Sequence, residues 1–110
     1  MDCVFCKIVE GSIPSKKVYE DEQVLAFLDI EPKAPVHILV IPKQHIEGAE
    51  AIDAENAAVV AHVFEVIAHI AKQEKIGDFR VVTNNGPAAG QTVPHLHFHI
   101  LAGKTLGEMG

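Results

Sequence analysis

A chain of 110 residues with 48% hydrophobic side chains suffices for one domain with one core, and is too apolar to stay disordered. Its formal charge is −6 and its Lys and Arg do not cluster, which argues against DNA or RNA as a partner but leaves room for a small anion held by local N–H donors. No apolar run is long enough to span a bilayer and no basic segment precedes an apolar one, so the sequence predicts a cytoplasmic protein that makes no use of a membrane.

In chain order, Val4, Phe5, Ile8 and Val9 have the spacing of a short helix that Gly11 ends and Pro14 bars from continuing. Residues 18–20 and 24–28 read as strands of a hairpin turning at Asp21 and Glu22. Residues 31–35 hold two prolines and form a loop. The run from His37 to Ile41 is β-branched and apolar, a well-buried strand that Pro42 ends. Asp53 is a fitting N-cap for a long helix from Ala54 to about Lys75, with Val60, Val63, Phe64, Ile67, Ile70 and Ala71 on its apolar face and Gly77 just past its end. A strand over 79–83, a glycine-containing loop over 84–90, a last strand over 94–101 and a short, loosely held tail complete the chain. The sum is a single domain over 1–110 of α+β class, an antiparallel β-sheet with one long and one short helix.

The last strand carries the chemistry. In P-H-L-H-F-H-I-L, His95, His97 and His99 alternate with Leu96, Phe98 and Ile100, so the imidazoles share one face. Three readings compete: the polar face of an ordinary strand, a three-histidine cage for zinc or copper, or a nucleophilic histidine with neighbours that orient it and bind the substrate. The loop N-N-G-P-A-A-G-Q-T-V runs directly into these histidines and offers N–H and side-chain donors, which points to chemistry at phosphorus. Cys3 and Cys6 form a C-x-x-C pair. No βαβ unit accompanies them to suggest a thioredoxin-like redox pair, and a zinc half-site requires two further ligands. His62 and His69, seven apart on the long helix, read as surface or interface residues.

The segment G-Q-T-V-P-H-L-H-F-H-I-L resembles the signature of the histidine triad (HIT) nucleotide-binding family, and the likeness runs over nearly the whole chain. It includes the N-terminal C-V-F-C-K-I-V-E-G-S-I-P, the central L-A-F-L-D-I-E-P-K-A-P-V-H-I-L-V-I-P-K-Q-H-I, and an ending that is similar to the nucleoside phosphoramidase branch. The resemblance implies a HIT-like fold and hydrolysis of purine nucleoside 5′-phosphoramidates to a nucleoside monophosphate and an amine. It makes His97 the nucleophile that forms a covalent nucleotidyl-histidine, and gives His99 the phosphate and leaving group. Asn84, Gly90, Gln91 and Thr92 match phosphate-site positions, and Asp29 the carboxylate that accepts the ribose hydroxyls. Phe5, Ile8, Phe27, Ile30 and Leu39 match an apolar slot for an AMP-like purine, though such residues are also ordinary core. His37 matches a supporting position beside the triad. The zinc-containing members it resembles draw their ligands from positions matching Cys3, Cys6, His45 and His95, so a closed structural Zn2+ site is expected and catalysis is metal-free. A homodimer joined through the long helix and an adjoining strand is implied as well. Three other functions compete: dinucleoside polyphosphate hydrolysis, a nucleotide-binding regulatory module with incidental turnover, and a metal hydrolase using all three histidines.

Overall fold

The computed structural model describes residues 3–109. Helix α1 spans Val4–Glu10, and Cys3 caps it by accepting the Cys6 amide on its Sγ. Gly11 ends α1 at φ 89°, in the left-handed region that glycine enters without steric cost. Five strands follow, β1 (Lys17–Glu20), β2 (Val24–Leu28), β3 (Val36–Pro42), β4 (Phe79–Val82) and β5 (Phe98–Ala102), with helix α2 (Ala57–Gln73) between β3 and β4. They form one sheet in the order β1-β2-β3-β5-β4, antiparallel at every pairing, so the expected α+β fold is present.

The sheet is covered on both faces, and side-chain alternation assigns each residue to one of them. Val24 and Ala26 of β2, Ile38 and Val40 of β3, and Phe98 and Ile100 of β5 pack with Val59, Val63, Val66, Ile67 and Ile70 of α2. Leu25, Phe27, Leu39 and Ile41 face the other way and pack with Cys3, Phe5 and Ile8. Burial on both faces is why β2 and β3 read as continuous apolar runs rather than alternating ones. The hairpin is latched to α2 from its turn: Tyr19 Oη donates to Asp21 Oδ2 at 2.8 Å, and His62 Nε2 meets the same oxygen at 2.6 Å. His69 stacks edge-on against Tyr19. The two helix histidines thus join elements within the chain.

Five details depart from the sequence reading. The α2 ladder begins at Ala57 rather than Ala54, because Asp53 accepts the Glu55 and Asn56 amides in a separate turn. At the other end Lys75, not Gly77, takes the left-handed position at φ 52°, and Ile76 N donates to Ala71 O. That closure lets Ile76 pack against the main core, which outweighs the side-chain preference of the turn. Phe64 lies half-exposed at the margin of the helix face. The last strand starts only at Phe98. Residues 93–95 bend and 96–97 lie outside the ladder, tied by Leu96 N to Ile46 O and by Thr83 Oγ1 to His97 O. The tail is held rather than loose up to Gly107, whose carbonyl accepts Arg80 Nη2 at 2.7 Å; residue 110 lies outside the described residues.

Candidate active site

The three histidines face the α1 side of the sheet, while Leu96, Phe98 and Ile100 are buried against α2. Their roles separate once the partner of each ring nitrogen is known. A carbonyl only accepts and a backbone amide only donates, so a single backbone contact decides which ring nitrogen carries the proton.

His95 Nε2 donates to Pro42 O at 2.9 Å, which leaves Nδ1 with a lone pair. That nitrogen lies 3.3 Å from Cys3 Sγ and 3.6 Å from Cys6 Sγ, and His45 Nδ1 lies 3.3 Å from Cys6 Sγ. In a tetrahedral zinc site with ordinary bond lengths the nitrogen–sulfur edges are about 3.6 Å. The two thiols and two imidazoles therefore converge as a metal's ligands would, all four donor atoms lying within 4.8 Å of one another. The Pro42 carbonyl supplies the outer hydrogen bond that typically orients a ligating histidine. These residues fit zinc. In the metal-free protein, burial and the neighbouring Cys3 push the Cys6 thiol up to about 11, so a metal ion must displace its proton.

His97 Nδ1 donates to its neighbour's carbonyl, His95 O, at 2.6 Å. Its Nε2 is thereby left bare, and the ring lines a cavity of about 380 Å³. Phe5 stands edge-on to the ring at 5.0 Å and holds its plane. Burial lowers the His97 pKa, which keeps the imidazole neutral and nucleophilic near pH 7.

His99 takes the opposite tautomer. The Lys33 amide donates to His37 Nδ1 at 2.9 Å, so His37 carries its proton on Nε2 and donates it to His99 Nδ1 at 2.8 Å. His99 accordingly keeps its own proton on Nε2. Strand register makes this pair: Leu39 is opposite His99 and His37 opposite Leu101, so the two histidines are diagonal neighbours on one face. Burial, then the nearby His97 and His37, push the His99 pKa down to about 4, and burial also lowers that of His37. Asp29 Oδ2 lies 3.4 Å from His37 Nε2, and its Oδ1 accepts the Glu31 amide. Asp29, His37 and His99 could by proximity hold a cation. The Lys33 amide argues against it, because a metal on His37 Nε2 would require that proton to move to Nδ1, where the amide already points.

Two cavities meet here. Asn84, Gly90 and Thr92 line one of about 460 Å³ with Asp29, His37 and His99. Phe5, Ile8, Phe27 and Leu39 line the second with His97, His99 and Thr92. These four apolar residues are core and cavity wall at once. Ile30 differs, being 94% exposed at the rim of both cavities. Gly90 sits at φ 98°, where a side chain is strained.

Gln91 has its side chain engaged by its surroundings. Its Nε2 donates to Glu47 O and its Oε1 accepts the Gly86 amide, so the side chain braces the loop from within. The Ala89, Gly90 and Gln91 amides also donate inside the loop. Asn84, Gly90 and Thr92 remain at the cavity wall beside His99. Sequence reasoning missed the Lys33 amide, the Pro42 carbonyl and Thr83. The first two act through backbone atoms, which no residue type announces.

A family model of the HIT domain matches residues 10–106. The chain is 49% identical to an uncharacterized HIT-like protein of Synechococcus elongatus, covering 96% of this chain and 93% of that one. It is 43% identical to a 14 kDa zinc-binding protein of Zea mays, covering 94% and 83%. Among solved structures, a histidine triad protein from Clostridium difficile superposes with a TM-score of 0.94 at 51% identity, covering 100% and 97%. A HIT family hydrolase from Clostridium thermocellum does so with a TM-score of 0.94 at 44% identity, covering 98% and 96%. The chain belongs to the HIT family, and its Cys3, Cys6, His45 and His95 form a cluster able to bind a metal. No helix among the described residues is long and apolar enough to cross a membrane.

Proposed function

We propose that this chain is a nucleotide-binding hydrolase that cleaves purine nucleoside 5′-phosphoramidates through a covalent nucleotidyl-histidine on His97. The observation that carries this reading is the pair of opposed tautomers: a bare Nε2 on His97 beside an N–H on His99, their rings 5.1 Å apart. Phosphoryl transfer to nitrogen takes one nucleophilic imidazole and one donor for the phosphoryl oxygens or the departing amine. His97 Nε2 attacks the α-phosphorus and the P–N bond to the amine breaks. The amine leaves with the His99 Nε2 proton, and water then hydrolyses the P–N bond to His97, its hydroxide going to phosphorus and its proton back to His99, returning the nucleoside monophosphate and free imidazole.

The remaining residues position the substrate. Asp29 borders both cavities, as a ribose carboxylate between phosphate and base would. The slot of Phe5, Ile8, Phe27 and Leu39, with Ile30 at its mouth, takes the flat apolar faces of a purine. Asn84 and Thr92 reach the phosphate, with Gly90 setting the turn between them. Two of the similar solved structures are described as HIT family hydrolases, which supports hydrolysis as the reaction class.

Cys3, Cys6, His45 and His95 hold Zn2+ in a closed structural site, and the zinc-binding relative from maize supports that choice of metal. No step of the reaction passes through it. Two chains pair through α2 and the β4 edge to form a homodimer. His97→Ala tests the catalytic reading: turnover falls by at least about a thousandfold while AMP still binds. Near-native turnover in that variant removes His97 as nucleophile.

A further inference from the structure

We infer that Ser15 is a base-contacting residue whose hydroxyl pairs with the polar edge of a purine. The inference rests on the nucleotide reading above and deepens it. Among the described residues, Ser15 Oγ is the one buried side-chain oxygen or nitrogen without a hydrogen-bond partner. Buried hydroxyls are almost always paired, and an orphan destabilises the protein that contains it. A group kept at such cost invites a partner from outside the chain.

The position of Ser15 says which partner. Asp29 and Ile30 border three cavities. The triad histidines line the first and third of these, and Ser15 the second and third. Ser15 therefore shares one cavity with Asp29, His97 and His99, and also lines a second, beside Asp29, that the histidines do not reach. A nucleotide with its phosphorus at His97 and its ribose at Asp29 sends its base toward Ser15.

The shared cavity is otherwise largely apolar, walled by Val4, Phe5, Ile8, Ile13, Phe27 and Leu39. Such a wall grips a base but does not read it. A serine hydroxyl offers one donor and two lone pairs, and it reaches new directions by a single rotamer step. Adenine and guanine both carry the ring nitrogens N3 and N7, which accept a hydrogen bond, so one hydroxyl serves either base. Ser15 is tied close to the slot by its flanks: Pro14 precedes it, and Lys16 O accepts the Leu28 amide.

Calorimetric titration of wild type and Ser15→Ala with AMP and with ribose 5-phosphate, plus a thermal melt of each ligand-free protein, tests this. The expected result is a loss of AMP affinity of about 3- to 10-fold, unchanged ribose 5-phosphate affinity, and a Tm that stays level or rises because an orphan group is gone. An unchanged AMP to ribose 5-phosphate ratio in the variant overturns the inference alone. A wild type that binds neither ligand overturns the nucleotide reading and this inference with it. A fallen Tm shows that the hydroxyl serves the free fold, and also overturns it.

Discussion

Three histidines of one type on alternate positions do three different jobs because three backbone groups assign their protons. Pro42 O and His95 O accept from His95 and His97, and the Lys33 amide reaches His99 through His37. His37 is on this account a positioning residue. His37→Phe frees the His99 Nδ1, so the His99 proton no longer has a fixed seat. Steady-state kinetics should show kcat down on the order of tenfold at pH 7 with KM little changed, and the acid limb of the pH profile displaced. A KM effect with kcat unchanged would instead make His37 a simple wall of the site. The spacing of these histidines was plain in the sequence, and so was their shared face. Their tautomers were not, because carbonyls and amides look alike in every residue.

At the scale of elements, the hydrophobic pattern located both helices and the buried strands β2, β3 and β5, while β1 and β4, which hold no fully buried residue, were found as short apolar runs. What failed were ends. The α2 start moved because Asp53 capped a turn of its own, and its stop moved because burying Ile76 mattered more than placing a glycine. The bonds of Gln91 to Gly86 and Glu47 were not legible, because no local pattern announces a side chain that braces its own loop. Among the described residues both sheet edges, β1 and β4, lack a further strand. Strand β4 is a sheet edge whose outer side is unpaired within the chain, and Phe79 on it and Phe64 on α2 are 40% and 48% exposed. An uncovered edge beside exposed aromatics is a natural surface for a second copy. Sedimentation velocity is expected to give two chains per particle, reduced to one by Phe64→Glu. A wild type that runs as one chain at micromolar concentration rejects the dimer.

For the molecule as a whole, the metal cluster ties the N-terminal helix to the far end of the sheet. Cys3 and Cys6 come from α1, while His45 and His95 lie in segments just outside β3 and β5. Purified protein should carry about one zinc per chain by metal analysis, with both thiols blocked to reagents. Because Cys6 loses a proton to the metal, occupancy should fall as pH is lowered. Removing the metal should cost about 2 kcal/mol or more, a drop in Tm of roughly 10 °C for a chain of this size. Protein without metal, with freely titratable thiols and the same Tm, would eliminate the site.

The most direct test of the central claim is mass spectrometry of protein quenched in acid-free conditions during turnover of a nucleoside phosphoramidate. The account predicts a nucleotidyl group attached to the peptide that contains His97, absent in His97→Ala. Rapid turnover with no modified histidine, or with the group on another residue, would contradict it.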